Sequence, residues 1–210
     1  MLCILDNIMS LKQGVTIMVK RLKNKSESTR LIISIIIFSI LFIFSNPSIT
    51  TAADIALNNT PVQIYFSPNG GCTDAIVDEI SHAKSELLIQ AYSFTSKEIA
   101  EAIIKAHKRG IDVEIILDKS NKSAKYSAGD FTAHMGVATY IDSQHAIAHN
   151  KIMIIDKEIV ITGSFNFSKA AEEKNAENLL ILKNKELAEI YIDNWYKYKK
   201  HSERYEGNNQ

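Results

Sequence analysis

HAIAHNKIMIIDKEIVITGSFNFSKAAEEKNAEN, residues 145–178, holds two short apolar runs and a set of polar residues at fixed intervals. Asn150–Ile155 and Ile159–Thr162 are rich in isoleucine, too short for helices, and joined by a brief polar connection. They read as neighbouring strands. Side chains alternate along a strand, so positions 149 and 151 fall on one face while 156 has the opposite parity. His149 and Lys151 therefore project toward one spot, and Asp156 points away from it. A structural role at the strand end follows for Asp156.

On the N-terminal side of this stretch, strand-like and helix-like patterns alternate. Val62–Phe66 reads as a strand closed by the turn residues Pro68, Asn69, Gly70 and Gly71. Thr73 is the expected N-cap of a helix over Asp74–Lys84, with Ile76, Ile80 and Ala83 at helical spacing. Leu87–Tyr92 is a buried strand. Ser96 caps a second helix that carries an Ile99, Ala102, Ile103, Ala106 stripe and stops at Gly110. Ile111–Leu117 and Val137–Ile141 are strands, and the polar 119–136 segment wraps the surface around a short helix. On the C-terminal side, Leu179–Leu182 is a last strand before an amphipathic helix over about Lys185–Lys200, with Ile190, Ile192 and Trp195 expected inside. This order predicts an α/β domain, an α-β-α sandwich whose central sheet is mixed because the strands between 137 and 162 have short connections.

The polar residues of the opening stretch suit a phosphodiester. An ammonium at Lys151 neutralises a non-bridging oxygen while the His149 imidazole attacks phosphorus. Ser164 and Asn166 can bind phosphate oxygens, and Gly163 permits a tight backbone turn beneath them. A nucleophilic imidazole needs its other nitrogen held by an acceptor, and Glu177 is the candidate. His82, His107, His134 and His201 fall in helical or loop patterns without evident partners and read as ordinary residues. His145 is nearer the motif, and a place at the edge of the site is the minor reading for it.

Residues 149–166 resemble the HKD motif of the phospholipase D superfamily, HxKxxxxDxxxxxxGSxN, at every fixed position. Glu177 falls where short members of that family carry a glutamate that bonds the nucleophilic histidine. The resemblance implies a catalytic set of His149, Lys151, Asp156 and Glu177, with Lys151, Ser164 and Asn166 on the phosphate. It also implies a covalent phosphohistidine and catalysis without metal or cofactor. One histidine cannot attack and protonate the leaving group in the same step, and this chain has a single HxKxxxxD motif, since His82-Ala83-Lys84 lacks the aspartate. A homodimer with both copies of His149 and Lys151 at a twofold interface is therefore expected.

The N-terminus reads as an address. A basic segment from Lys20 to Arg30 leads into LIISIIIFSILFIF, Leu31–Phe44, whose 14 residues suit a signal-peptide core and fall short of a membrane span. Cleavage is expected near Ala53–Asp54, an uncleaved anchor being the competing reading, and Met18 offers a more conventional start. Residues 1–53 are accordingly set apart from a catalytic domain over 54–210, and the product is expected to be secreted or periplasmic. Removal of the N-terminus would leave Cys72 alone, without a disulfide partner, and the two cysteines lack the spacing of a zinc site.

Zero formal net charge hides an asymmetry. The first 53 residues hold six Lys/Arg and two acids, which leaves 18 basic and 22 acidic residues in the body, a net of −4. A polyanion such as DNA would reward a positive groove. Among short exported members of the family, the small phospholipases D of intracellular bacteria are therefore favoured over a periplasmic nonspecific endonuclease. Membrane phospholipid, phosphatidylcholine in particular, is the expected substrate, with nucleic acid as the alternative.

Overall fold

The computed structural model describes residues 53–122 and 127–207. The expected signal region lies outside the described residues, except for Ala53. Among the described residues, no helix is long and apolar enough to cross a membrane.

The chain runs β1 (Val62–Ser67), α1 (Cys72–His82), β2 (Glu86–Ala91), α2 (Lys97–Lys108) and β3 (Asp112–Asp118). A 3₁₀ turn (Lys119–Lys122), α3 (Ala128–His134), β4 (Ala138–Asp142), β5 (Lys151–Ile155) and β6 (Ile159–Gly163) follow. Then come α4 (Lys169–Glu173), β7 (Glu177–Lys183), α5 (Lys185–Lys199) and β8 (Glu203–Tyr205). Eight strands form one sheet in the order β1-β7-β6-β5-β2-β3-β4-β8. β2, β3 and β4 are parallel, joined by helical crossovers, and the other pairings are antiparallel. The expected α/β architecture with a mixed sheet is what is found.

Strand alternation sorts the core into two layers. Leu87, Ile89, Ile115, Met153, Ile155, Ile161, Leu179 and Ile181 pack under α1 and α2, against Ile76, Ile80, Ile99 and Ile103. Leu88, Ile116, Ile152, Ile154 and Val160 face the other way, under Ala188 and Trp195 of α5. Trp195 is almost fully buried and donates its indole N–H to the Ile89 carbonyl at 2.9 Å. Burial of such a ring stabilises by roughly 1.5–3 kcal/mol, so α5 is held firmly across its face. Among the described residues, this helix alone packs on that face. On edge strand β1 the alternate residues Val62, Ile64 and Phe66 remain open, Phe66 at 66% exposure.

Several sequence expectations need correction. α1 begins at Cys72, with Gly71 in the left-handed region at its N-cap, so Thr73 is not the cap. The Glu172 carboxylate of α4 does the work instead, accepting from the Gly71 and Thr73 amides at 3.1 and 2.7 Å. Ile190, expected inside, is exposed, and Ala188 is buried in addition to Trp195. The short α4 and β8 were not anticipated.

Candidate active site

β5 begins at Lys151, antiparallel to β2 with Ala91 opposite Lys151. The pairing extends one step further, since the Tyr92 amide donates to the Asn150 carbonyl at 2.9 Å. His149 thus sits just past the strand end, fixed at its backbone and exposed at its ring. Lys151 is buried, yet its Nζ reaches back to His149, 3.0 Å from Nδ1 and 3.1 Å from Nε2, and donates to the His149 carbonyl at 2.9 Å. The imidazole and ammonium expected to share a face do meet. Burial lowers the Lys151 pKa, and the nearby Glu177 charge opposes that shift.

The loop from β4 to His149 is tied down by two buried carboxylates that sequence reading missed. Asp118 Oδ2 accepts from the Ala148 amide at 2.8 Å, one residue before His149. Asp142 Oδ1 accepts from the Gln144 and His145 amides. Burial pushes the Asp118 pKa up, but hydrogen bonds from Ser120 and Ala148 outweigh it and the net shift is downward. Tyr92 was missed as well. Its ring lies 4.4 Å from the His149 ring, centroid to centroid. The available signal was its place at the end of a buried strand pointing toward the same edge of the sheet.

Beyond β6, Gly163 has φ +143°, and a Cβ there would lie 2.3 Å from the Asn178 carbonyl oxygen. Only glycine fits that close approach. The turn brings Ser164 Oγ to accept from the Asn178 amide at 3.0 Å and from Asn178 Nδ2 at 3.2 Å. With both lone pairs engaged, the Ser164 hydroxyl proton is free to be donated outward. Asn166 Oδ1 is buried with no hydrogen-bond partner among the described residues.

The two carboxylates of the expected catalytic set, Asp156 and Glu177, lie elsewhere than on the imidazole. Asp156 follows β5 at the end of the strand away from Lys151. Its carboxylate accepts from the Lys84, Ser85 and Glu86 amides and from Ser85 Oγ, at 2.7 to 3.2 Å. It fastens the turn between α1 and β2, the structural role that its parity implied, and it touches no reacting group. Glu177 opens β7, and its Oε1 accepts from Asn175 Nδ2 at 3.2 Å. It acts on Lys151 through charge, and the structure gives it no hydrogen bond to His149.

Among the described residues, Asp142, His145 and His201 form a grouping of ligand atoms compact enough for a metal ion. It does not include His149 or Lys151.

Comparison with known proteins agrees with this geometry. A family model described as "Cardiolipin synthase, PLD-like domain" matches residues 76–197. A phospholipase D of Rickettsia prowazekii is 40% identical over 164 residues, 78% of this chain and 80% of that protein. The crystal structure of Nuc from Salmonella typhimurium, described as a phospholipase D family member, superposes with a TM-score of 0.67 at 37% identity. The match covers 70% of this chain and 99% of that one. NucT from Helicobacter pylori superposes with a TM-score of 0.65 at 26% identity, over 70% of this chain and 100% of that one.

Proposed function

The chain belongs to the phospholipase D superfamily and is a phosphodiesterase, and we propose that it hydrolyses phosphatidylcholine to phosphatidate and choline through a covalent phosphohistidine on His149. The observation that carries this reading is the Lys151 ammonium held against the exposed His149 ring at 3.0 Å, a cation and a nucleophile converging on one spot. The acidity of the body and the likeness to the Rickettsia phospholipase D favour lipid over nucleic acid.

In the first step a neutral His149 nitrogen attacks phosphorus. The P–N bond forms and the P–O bond to choline breaks, while Lys151, Ser164 and Asn166 hold the non-bridging oxygens. The choline oxygen needs a proton, and His149 of a second copy supplies it. In the second step that same imidazole takes a proton from water. The resulting hydroxide attacks phosphorus, the P–N bond breaks, and phosphatidate leaves. Glu177 acts through its charge on Lys151, helping to keep the ammonium protonated. The homodimer this requires is supported by the open apolar strip of Val62, Ile64 and Phe66. Phe66 lies opposite Asn178 in register, so the strip borders the motif, and the exposed Ile147 stands two residues before His149. Export to a secreted or periplasmic location, directed by residues 1–53, completes the proposal.

Choline release from phosphatidylcholine vesicles and acid-soluble fragments from DNA, measured side by side in chelator, tests this assignment. Choline release that disappears in His149→Ala is the expected result. Fragments from DNA without choline release would replace the lipid by a nucleic-acid phosphodiester.

A further inference from the structure

Asp142 ends β4 and is completely buried. Its Oδ1 is satisfied by two backbone amides, which leaves Oδ2 to face side chains. Two imidazoles meet that one oxygen. His145 Nδ1 is 2.7 Å away, and His201 Nε2, from the turn after α5, is 3.5 Å away. Tyr198 lies edge-on to both rings, at 4.9 and 5.8 Å between centroids, and holds them in place.

His201 is the informative member. Its Nε2 is buried and makes no hydrogen bond, the 3.5 Å approach to Asp142 being too long for a good one. A buried ring nitrogen without a partner is costly, yet this one is aimed at a carboxylate already engaged by another imidazole. Asp142 Oδ2 lies 2.7 and 3.5 Å from the two ring nitrogens, on either side of the roughly 3.3 Å separation around a tetrahedral ion with about 2.0–2.1 Å bonds, and all three ligand atoms lie within 4.8 Å of one another. His145 is 43% exposed at its side chain, which leaves solvent access for a fourth ligand.

We propose that Asp142, His145 and His201 form a binding site for one zinc-class divalent cation, separate from the His149–Lys151 centre. Two imidazoles and one carboxylate suit zinc rather than calcium or magnesium, which prefer all-oxygen shells. The ion would join two segments distant in sequence: the end of β4 with the loop that runs on from it to His149, and the turn between α5 and β8. Its role is to staple that loop, since His145 stands four residues before His149. It takes no part in the attack on phosphorus, so the inference stands whether the substrate is lipid or nucleic acid.

Full-length protein, stripped with chelator and dialysed, is titrated with Zn²⁺ against a chromophoric chelator, and with Co²⁺ followed by visible absorption. The wild type is expected to bind one Zn²⁺ per chain, to give the intense bands of four-coordinate cobalt, and to gain on the order of 5 °C in Tm at hundredfold excess over Kd. His145→Gln and His201→Gln should each weaken binding by at least about 10-fold, the scale found even for groups behind the ligands. Circular dichroism of the metal-free variants reports that the fold is kept. His149→Ala and a His82→Gln/His134→Gln variant should bind as the wild type does. Absence of stoichiometric binding by the wild type would overturn the proposal. So would wild-type affinity in the His145→Gln/His201→Gln double variant, or binding lost with His149.

Discussion

The rings of Tyr92 and His149 are in contact, with centroids 4.4 Å apart and planes inclined by 53°. The Lys151 ammonium lies 5.1 Å from the centre of the same tyrosine ring. Tyr92 therefore walls one side of the pair and limits how far either group can swing. It is a positioning residue in this account. Tyr92→Ala should lower kcat by about 10-fold, the scale of a small loss of alignment, with little change in KM. Tyr92→Phe, which keeps the ring, should restore most of the rate. Steady-state kinetics of the two variants checks this, and equal losses in both would point to the hydroxyl instead.

Lys151 must stay protonated to neutralise phosphate. Burial moves its pKa below the ordinary 10.5, and the Glu177 charge partly holds it up. Removing that charge lowers the folded pKa further, so the ammonium is lost at lower pH. Glu177→Gln should thus displace the alkaline limb of the kcat/KM profile toward neutrality, besides reducing its height. An unmoved limb would mean that Glu177 does not act on Lys151.

Asp156 bears on stability rather than chemistry. Burial raises its pKa, but hydrogen bonds from Ser85, Lys84 and Glu86 more than compensate, and the folded value falls below the ordinary 3.8. A depressed folded pKa contributes stability that is present above the unfolded pKa and is lost as pH falls through the folded one. Urea midpoints of the wild type should therefore drop below about pH 4, the usual carboxylate range. Asp156→Asn should be destabilised at pH 7 and show a shallower acid decline. Identical declines would remove Asp156 from this role.

The shared site has its own test. Ile64→Glu/Phe66→Glu places charges on the open strip of β1 without disturbing the buried layers. Sedimentation should show a dimer for the wild type and a monomer for this variant, with activity lost together with assembly. A fully active monomer would refute the two-copy mechanism.

Much of this molecule was legible in its sequence because local signals were consistent with the fold. The 149/151 alternation placed the imidazole and ammonium together, and the apolar runs located β2, β5, β6 and β7. What escaped depended on contacts between distant segments. The cap of α1 comes from Glu172, about a hundred residues away in the chain. The His149 loop is fastened by Asp118, and the His145 cluster is completed by His201. His201 was read as an ordinary residue because nothing nearby in sequence partners it; only the antiparallel pairing of β4 with β8 brings it beside Asp142. Likewise β8 has three residues, too few for any periodicity to register.

The central claim is that His149 forms the bond to phosphorus. Radiophosphorus-labelled phosphatidylcholine, mixed with enzyme and quenched in alkaline denaturant within a turnover, should leave label on a peptide containing His149, acid-labile and absent from His149→Ala. Turnover with no labelled intermediate, or label retained on another residue, would contradict it.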